Sequence, residues 1–160
     1  LLLVMVANGQ QQAATAYLAG EKKMSMGNTK GAIVDFTKAI ETDPDALSAY
    51  YKRGFAYSVL GEYELAVKDY TYVINKKNDF LWAYISRGSA YNKLNKFNEA
   101  LADFNRALEI DPKNQEVYNN RGWAKKGLGD DAGACEDWKT SRKMGNEEAK
   151  IILGNSGCKK

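Results

Sequence analysis

A step of 34 residues relates four segments of this 160-residue chain. Glycine, alanine, aspartate and an aromatic residue recur at that step, at Gly20, Gly54, Gly88 and Gly122; Ala32, Ala66, Ala100 and Ala134; Asp35, Asp69, Asp103 and Asp137; Phe36, Tyr70, Phe104 and Trp138. Pro44 and Pro112 lie two steps apart, with Asn78 at the position between them. Because self-similarity at a fixed period is the sequence signature of stacked repeats, the chain is predicted to use one small structural unit four times.

Residues 81–114 show what one period contains. Two runs have residues three or four positions apart, the first being Tyr84, Arg87, Gly88, Tyr91 and Leu94, and the second Phe97, Ala100, Leu101, Phe104, Ala107 and Leu108. This spacing places the side chains of each run on one face of a helix. Each period therefore predicts a helical hairpin, in which Gly88 faces Ala100 and Ala107 so that the two backbones can approach closely.

The ends of the two runs carry signals that stop a helix. Asn95 follows the first run, and Gly27, Gly61 and Gly129 stand at the equivalent positions of the other periods. Asparagine and glycine suit the left-handed backbone that follows many helices. Asp111-Pro112 closes the second run, because a residue before proline is disfavoured in the helical conformation.

Three segments are closely alike: Tyr50-Tyr51-Lys52-Arg53-Gly54, Tyr84-Ile85-Ser86-Arg87-Gly88 and Tyr118-Asn119-Asn120-Arg121-Gly122. With the alanines, aromatics and prolines that follow, this pattern resembles the tetratricopeptide repeat family over residues 13–146. The resemblance implies an all-α fold, an α-solenoid of antiparallel helical hairpins with a C-terminal capping helix. The repeats are predicted at 13–46, 47–80, 81–114 and 115–146, the capping helix at 147–154 and a tail at 155–160, after an apolar segment at 1–9.

The first repeat departs most from the pattern. Ala16 and Ala19 stand where the other repeats have tyrosine and arginine, and Lys23 stands at a position that is usually aromatic. At the other end, Ile151, Ile152 and Leu153 are expected to cover the exposed face of the fourth repeat. Terminal repeats of stacked arrays commonly diverge, because each has a neighbour on one side alone.

The resemblance also implies where a partner would bind. In this family the first helices of successive repeats line a concave surface, and the matching positions here are Tyr17, Leu18, Glu21, Tyr51, Lys52, Phe55, Trp82, Ile85, Ser89, Asn92, Asn119, Asn120, Trp123 and Lys126. Aromatic anchors beside amides suit a peptide groove, and Lys52, Lys93 and Lys126 favour an acidic partner segment. The alternative is that some of these aromatic side chains pack between neighbouring repeats.

Members of the family that hold the C-terminal Glu-Glu-Val-Asp segment of Hsp70 or Hsp90 use a clamp of lysine, asparagine and arginine. Here Tyr17 and Glu21 occupy the first clamp positions, and Trp82 and Ser86 occupy the later ones. The clamp is therefore predicted to be absent, which disfavours an Hsp70/Hsp90 adaptor.

Arg53, Arg87 and Arg121 recur at the same step as the four aspartates. Recurring arginine and aspartate on packed helices indicate a ladder of charge-assisted hydrogen bonds. Two registers remain open: Arg53 pairs with Asp69 inside its own repeat, or with Asp35 across repeats.

The two ends of the chain bear on its compartment. An antiparallel return of the capping helix would bring Cys158 level with Cys135, so we hypothesise a disulfide between them; the alternative is two free thiols. Residues 1–7 followed by Ala7-Asn8-Gly9 resemble the end of a signal peptide, and the alternative is an apolar docking arm. We therefore expect a periplasmic or secreted protein, with a cytoplasmic one as the alternative.

Composition excludes several kinds of function. The chain has no histidine, which removes the commonest general base and zinc ligand. Its net charge of +3 is scattered, so no nucleic acid partner is expected. We expect no membrane span, no metal, no cofactor and no enzymatic activity. The predicted function is a scaffold that binds a peptide segment of a partner protein; the alternative is a constitutive subunit of a larger envelope complex or a self-associating array.

Overall fold

The computed structural model describes residues 2–155, 157 and 158, with side chains from Asn8 onward. Over these residues the chain forms nine helices and no strand, and their bounds are α1 Leu2–Ser25, α2 Thr29–Thr42, α3 Leu47–Val59, α4 Tyr63–Lys76, α5 Leu81–Lys93, α6 Phe97–Ile110, α7 Gln115–Gly127, α8 Asp131–Lys143 and α9 Glu147–Asn155. The predicted all-α class, built from helical hairpins, is confirmed.

The helices belong to two compact units. Unit 1 spans residues 1–78 and contains α1 to α4, and unit 2 spans residues 79–160 and contains α5 to α9. Within each unit every helix packs against the next one along the chain, and in unit 2 the first helices of two hairpins, α5 and α7, also touch. First helices that lie side by side create a surface to which both contribute.

The recurring glycine accommodates the recurring aromatic ring. A Cβ atom added at Gly88 would lie 2.8 Å from Cε1 of Phe104, and one added at Gly54 would lie 2.9 Å from Cε1 of Tyr70. The three atoms nearest to a Cβ at Gly88 all belong to the Phe104 ring of the second helix, a neighbour that the sequence did not assign to this glycine. The absence of a side chain at Gly88 leaves room for that ring.

The core repeats with the same step as the sequence. The four alanines at 32, 66, 100 and 134 are fully buried, and so are the rings at 36, 70, 104 and 138. Each hairpin therefore buries one aromatic side chain under a glycine and beside an alanine, which explains why these three residue types recur together.

The turns inside the hairpins have the predicted left-handed backbone. Asn95 has a φ of 58°, and Gly27, Gly61 and Gly129 have φ values of 75°, 80° and 81°. After α5 the Lys96 N–H donates to the Tyr91 carbonyl at 2.9 Å, which closes the end of the helix. The sequence prediction of these four turns is confirmed.

The N-terminal helix continues through the predicted apolar segment. Helix α1 runs from Leu2 to Ser25 without interruption, so no helix end marks a boundary near residue 9. Over the described part of the chain, no helix combines the length and apolar character that crossing a bilayer requires.

Helix α9 packs onto the last hairpin. Ala149 is fully buried beside Ala134 and Trp138, and Ile152 and Leu153 pack against the same cluster. Ile151, which was expected to join them, is 65% exposed because it lies on the opposite face of this short helix. The structure joins Cys135 of α8 to Cys158 in a disulfide, with the two Cα atoms 5.7 Å apart.

Candidate functional site

A cleft of about 540 Å3 opens in unit 2 along α5, α7 and α9, beside the start of α6. We call it the unit 2 cleft, and its walls are Ser89, Asn92, Lys93, Phe97, Asn120, Trp123, Lys126, Gly127 and Glu148. Four of the predicted site residues meet there: Asn92, Asn120, Trp123 and Lys126. Ser89 and Lys93, which the sequence also placed on this surface, lie among them.

Two aromatic side chains form the apolar part of the cleft. Trp123 is 43% exposed, and its ring meets the buried ring of Trp138 edge-on with centroids 5.2 Å apart. Trp138 is fixed in turn, because its Nε1–H donates to the Asn119 carbonyl at 3.2 Å. The ring of Phe97 lies directly against Gly127, where any side chain would collide with it. Trp123 is therefore an exposed ring on a rigid base.

Amide side chains connect α5 and α7 at the floor of the cleft. Asn92 Nδ2 donates to the Asn120 carbonyl at 2.9 Å, and Asn120 Nδ2 donates to Ser89 Oγ at 3.4 Å. Asn92 Oδ1 is buried and accepts no hydrogen bond from any described residue. An unpaired buried acceptor costs free energy until a donor reaches it.

The charge at the cleft is mixed. Lys126 Nζ pairs with Asp131 Oδ1 at 2.7 Å, but both side chains are largely exposed. Lys93 is exposed and has no ionic partner among the residues that the structure describes. Glu148 lies on α9, and its Oε2 accepts a hydrogen bond from Asn119 Nδ2 at 2.9 Å. Exposed pairs are worth little and exchange partners readily, so both lysines can meet an acidic ligand.

Two predicted site residues are buried instead of lining a surface. Ile85 is 3% exposed and Asn119 is 1% exposed. They are 34 residues apart and so occupy the same position of two repeats. The side chain of Asn119 points toward α9, because its amide donates a hydrogen bond to Glu148 there. Since α5 packs against α7, we attribute the burial of Ile85 to the same direction. Trp82 is 51% exposed but does not belong to the walls of the cleft.

The predicted residues of unit 1 form a separate set. Phe55 is 46% exposed and Leu18 is 65% exposed. Tyr17 is partly buried with its ring 5.8 Å from that of Phe36, and Tyr51 similarly lies 5.7 Å from Tyr70. Each of these ring contacts lies inside a single repeat, so neither is the packing between neighbouring repeats that the sequence left open as an alternative.

A salt bridge crosses this surface of unit 1. Lys52 Nζ lies 3.0 Å from Glu21 Oε2, so the positive charge of Lys52 is already matched. Burial raises the pKa of Tyr17, and the nearby Glu21 carboxylate adds to that rise, whereas Lys52 opposes it. Tyr17 is thus a neutral hydroxyl at physiological pH.

Each of the three recurring arginines pairs with the aspartate of its own repeat. Arg53 donates from Nε and Nη2 to the two oxygens of Asp69 at 2.8 Å, and Arg87 does the same to Asp103 at 2.8 and 2.7 Å. The register across repeats is therefore excluded, since Asp35 instead faces Lys23 at 2.7 Å. The hydrogen bonds that Arg53 donates to Asp69 raise the pKa of Arg53, although partial burial of the guanidinium opposes the rise.

Each guanidinium also has neighbours on its own helix and on the preceding hairpin. Arg53 lies over the rings of Tyr50 and Tyr57, at 5.6 and 5.9 Å from their centroids. Its Nη1 donates to Thr37 Oγ1 on α2 at 3.2 Å. In unit 2, Arg121 Nη1 likewise donates to Asn105 Oδ1 on α6 at 2.8 Å. These arginines connect successive helices and are structural.

Sequence reasoning missed three residues that line the cleft, Phe97, Gly127 and Glu148. Phe97 begins a second helix, and nothing in the repeat pattern places the start of that helix beside a first helix. Glu148 lies on α9, which stands outside the 34-residue step altogether. Gly127 was the feature of the sequence that could have indicated a contact with Phe97, because a glycine inside a helix often marks the close approach of a neighbouring group.

The comparisons with known proteins agree with this architecture. Profiles described as tetratricopeptide repeat match residues 47–75, 81–114 and 104–136, and one described as TPR repeat matches residues 20–58. The chain belongs to the tetratricopeptide repeat family. A search of curated protein sequences gave no significant match.

Solved structures share the fold. The first TPR of Spaghetti (RPAP3), bound to the HSP90 peptide SRMEEVD, is 29% identical with a TM-score of 0.73, over 75% of this chain and 95% of that one. The MamA RS-1 ArsTM double mutant is 17% identical with a TM-score of 0.85, over 91% and 83%. The Arabidopsis OM64 TPR domain is 24% identical with a TM-score of 0.71, over 74% and 98%. By family and fold, the chain is a protein-interaction scaffold.

Proposed function

We propose that this protein binds a peptide segment of a partner protein in the unit 2 cleft. The observation that carries the proposal is the exposed ring of Trp123, which packs on a buried ring and lines a cleft formed by residues of four helices. Rigid aromatic side chains next to a pocket supply a large part of the binding energy at protein interfaces. An apolar side chain of the peptide would pack between Trp123 and Phe97.

The polar groups of the cleft suit an extended main chain. Asn120 and Ser89 offer donors and acceptors at the floor, and Asn92 Oδ1 is an acceptor that lacks a donor within the described structure. Lys93 and Lys126 flank these amides and favour an acidic side chain in the peptide.

We further propose that the protein does not use a carboxylate clamp. The clamp positions in unit 1 hold Tyr17, whose ring is partly buried, and Glu21, whose carboxylate is paired with Lys52. A negative charge at Glu21 would repel the carboxylates of a Glu-Glu-Val-Asp ending. The partner segment is therefore expected to differ from the HSP90 peptide that the Spaghetti domain binds.

For the compartment, we infer an oxidising one, the periplasm or the outside of the cell. The support is the disulfide between Cys135 and Cys158, because disulfides persist in exported proteins and are rare where thiols are kept reduced.

Selection of peptides tests the binding proposal. A library of random displayed peptides is panned on the immobilised protein, and the selected peptides are titrated by fluorescence anisotropy against the wild type and Trp123→Ala. We expect peptides with an apolar residue near an acidic one, and a loss of about 2 kcal/mol in binding for the variant. Val34→Ala is the matched control, because Val34 is 65% exposed on α2, outside the cleft.

Two outcomes would overturn the proposal. Selected peptides that bind Trp123→Ala as tightly as the wild type would place the binding surface elsewhere. A library that yields no peptide competing with the others for one site would favour a structural subunit. Equal helicity and melting temperature of the variants are required before either comparison.

A labelled SRMEEVD peptide tests the second proposal, with the Spaghetti domain as the positive control. We expect no saturable binding to this protein under conditions that saturate the control. Saturable binding that is lost in Lys52→Ala would show that a clamp operates here despite Glu21.

A further inference from the structure

The arginine ladder lacks its first arginine. In the second repeat, Tyr50, Arg53 and Asp69 form a cluster in which the guanidinium lies over the ring and donates twice to the carboxylate. One step earlier in the chain, the same positions are Ala16, Ala19 and Asp35. The aspartate is therefore present in the first repeat, while the two large side chains that would cover it are replaced by alanine.

A cavity of about 680 Å3 lies at this place in unit 1. Its walls include Ala16, Ala19 and Asp35, together with Asn8, Gln12 and Lys38. The cavity thus corresponds to the space that tyrosine and arginine fill in the later repeats. Asn8 and Gln12 carry neutral amide oxygens, and neutral oxygens also accept from the later arginines: the Thr37 hydroxyl from Arg53 and the Asn105 amide from Arg121.

The carboxylate in this cavity has capacity for another donor. The side chain of Asp35 is 16% exposed, and Lys23 Nζ lies 2.7 Å from its Oδ2. That oxygen is nevertheless buried, and no described residue is oriented to donate a hydrogen bond to it. A largely buried carboxylate with a single lysine gains from further charge-assisted hydrogen bonds.

The fourth repeat shows that lysine and arginine can share one such carboxylate. Lys125 stands at the position of Lys23 and lies 2.9 Å from Asp137 Oδ2, while Arg121 donates to both oxygens of the same aspartate. Lys38 has its counterpart in Arg106, which pairs with Glu109 on its own helix while Arg87 donates to Asp103. Neither neighbouring cation therefore prevents a guanidinium from binding to Asp35.

The geometry points to a binding pocket for the guanidinium of an arginine side chain that another polypeptide supplies. Asp35 accepts two of its N–H groups once the part-exposed Lys23 side chain moves away from Oδ2, and the amides of Asn8 and Gln12 accept a further one. The planar fork of arginine matches a carboxylate in this way, and the ammonium of lysine does not. The pocket lies in unit 1 and is independent of the function proposed for the unit 2 cleft.

Titration with a blocked amino acid tests the pocket directly. N-acetyl-arginine methylamide is added to the whole protein, and backbone amide shifts of α1 and α2 are followed by NMR. We expect saturable shifts around Ala19 and Asp35, and binding about tenfold weaker for N-acetyl-lysine methylamide, since one geometry-dependent pair of bonds is lost. Asp35→Asn should weaken the arginine compound by a similar factor. Asp45→Asn, in the exposed loop between α2 and α3, should not.

A second variant restores the missing arginine within the chain. Ala19→Arg should raise the melting temperature and abolish binding of the arginine compound, because its own guanidinium fills the cavity. Equal affinity for the two blocked amino acids, or unchanged binding in Asp35→Asn or Ala19→Arg, would overturn the proposal. Tighter binding of free L-arginine than of the blocked compound would also overturn it, by showing a site for the amino acid instead of a side chain.

Discussion

Arg121 and Asp137 are joined by two hydrogen bonds of 2.8 Å, from Nε to Oδ2 and from Nη2 to Oδ1. Lys125 adds a third cationic contact to the same carboxylate at 2.9 Å. The equivalent aspartate of the preceding repeat, Asp103, pairs with Arg87, but the position that corresponds to Lys125 is Tyr91. Two otherwise similar ion pairs thus differ in whether the carboxylate keeps a cation after its arginine is removed.

This difference predicts unequal costs for two similar substitutions. Arg87→Ala leaves Asp103 buried without its guanidinium and should lower the free energy of unfolding by about 3 kcal/mol. Arg121→Ala should cost about 1–2 kcal/mol, because Lys125 remains beside Asp137. Urea unfolding followed by circular dichroism measures both. Lys150→Ala, which removes one partner of an exposed pair on α9, serves as the control. Equal losses in the two arginine variants would contradict the role assigned to Lys125.

The glycine in each first helix is predicted to be irreplaceable, although alanine favours helix. Gly88→Ala puts a Cβ 2.8 Å from the Phe104 ring. Overpacking of about 1–3 kcal/mol should outweigh a propensity gain of about 1 kcal/mol, so the variant should be less stable. Gly154→Ala is the matched control, since a Cβ in that helix meets open space and should leave stability equal or higher. Thermal unfolding decides the comparison, and a stabilised Gly88→Ala would show that the ring can move aside.

Reduction of the disulfide should loosen α9. The bond closes a sequence separation of 23 residues, for which loss of the cross-link costs about 3 kcal/mol in the chain-entropy description. Under reducing conditions we expect faster amide hydrogen exchange in α9 and in the adjoining part of α8, with α5 and α6 little changed. The Cys135→Ser/Cys158→Ser double variant should show the same pattern without reductant. Uniform exchange rates before and after reduction would mean that Ala149, Ile152 and Leu153 hold the helix alone.

Alkaline pH should destabilise the protein. Burial raises the pKa of Tyr17 and of Tyr91, and for Tyr50 both burial and the stacked Tyr72 raise it. These hydroxyls keep their protons in the folded chain at pH values where the unfolded chain has lost them. The free energy of unfolding should therefore fall as pH rises above about 10.

Two measurements check the pH prediction. Near-ultraviolet absorbance of tyrosinate should show a group of tyrosines titrating later in the native protein than in urea. Urea unfolding at increasing pH should show a shallower decline for Tyr91→Phe than for the wild type. A native titration that matches the denatured one would contradict the direction given for these pKa values.

The hairpins, their turns and their buried aromatics could be predicted because each depends on local spacing that recurs four times. The partner of Arg53 could not be predicted, because Asp35 and Asp69 are one 34-residue step apart and the repeat pattern does not distinguish them. The choice depends on where the guanidinium fork lies, and the structure places it on Asp69. The pattern also could not predict that an aromatic ring lies nearest to each recurring glycine, because alanines and aromatic residues both lie on the inner face of the second helix.

The candidate site was predictable in part. Asn92, Asn120, Trp123 and Lys126 lie on one stripe of two equivalent helices, and the structure brings them to a single cleft. Ile85 and Asn119 lie on the same stripe but are buried, because side chains at this position point toward a neighbouring helix, as the bond from Asn119 to Glu148 of α9 shows. The sequence showed that alanines replace the first tyrosine and arginine. The cavity beside them could be recognised only from the packing of α1 on α2 in the structure.

The bond from Arg53 to Thr37 has a consequence for how unit 1 unfolds. One guanidinium links α2, α3 and α4, so the second hairpin cannot open without also breaking a contact of the first. Linear arrays whose neighbours are weakly coupled fray from their ends one unit at a time. Couplings of this kind increase the free energy of the interface between hairpins relative to the intrinsic stability of each hairpin. Unit 1 should therefore unfold in a single cooperative transition.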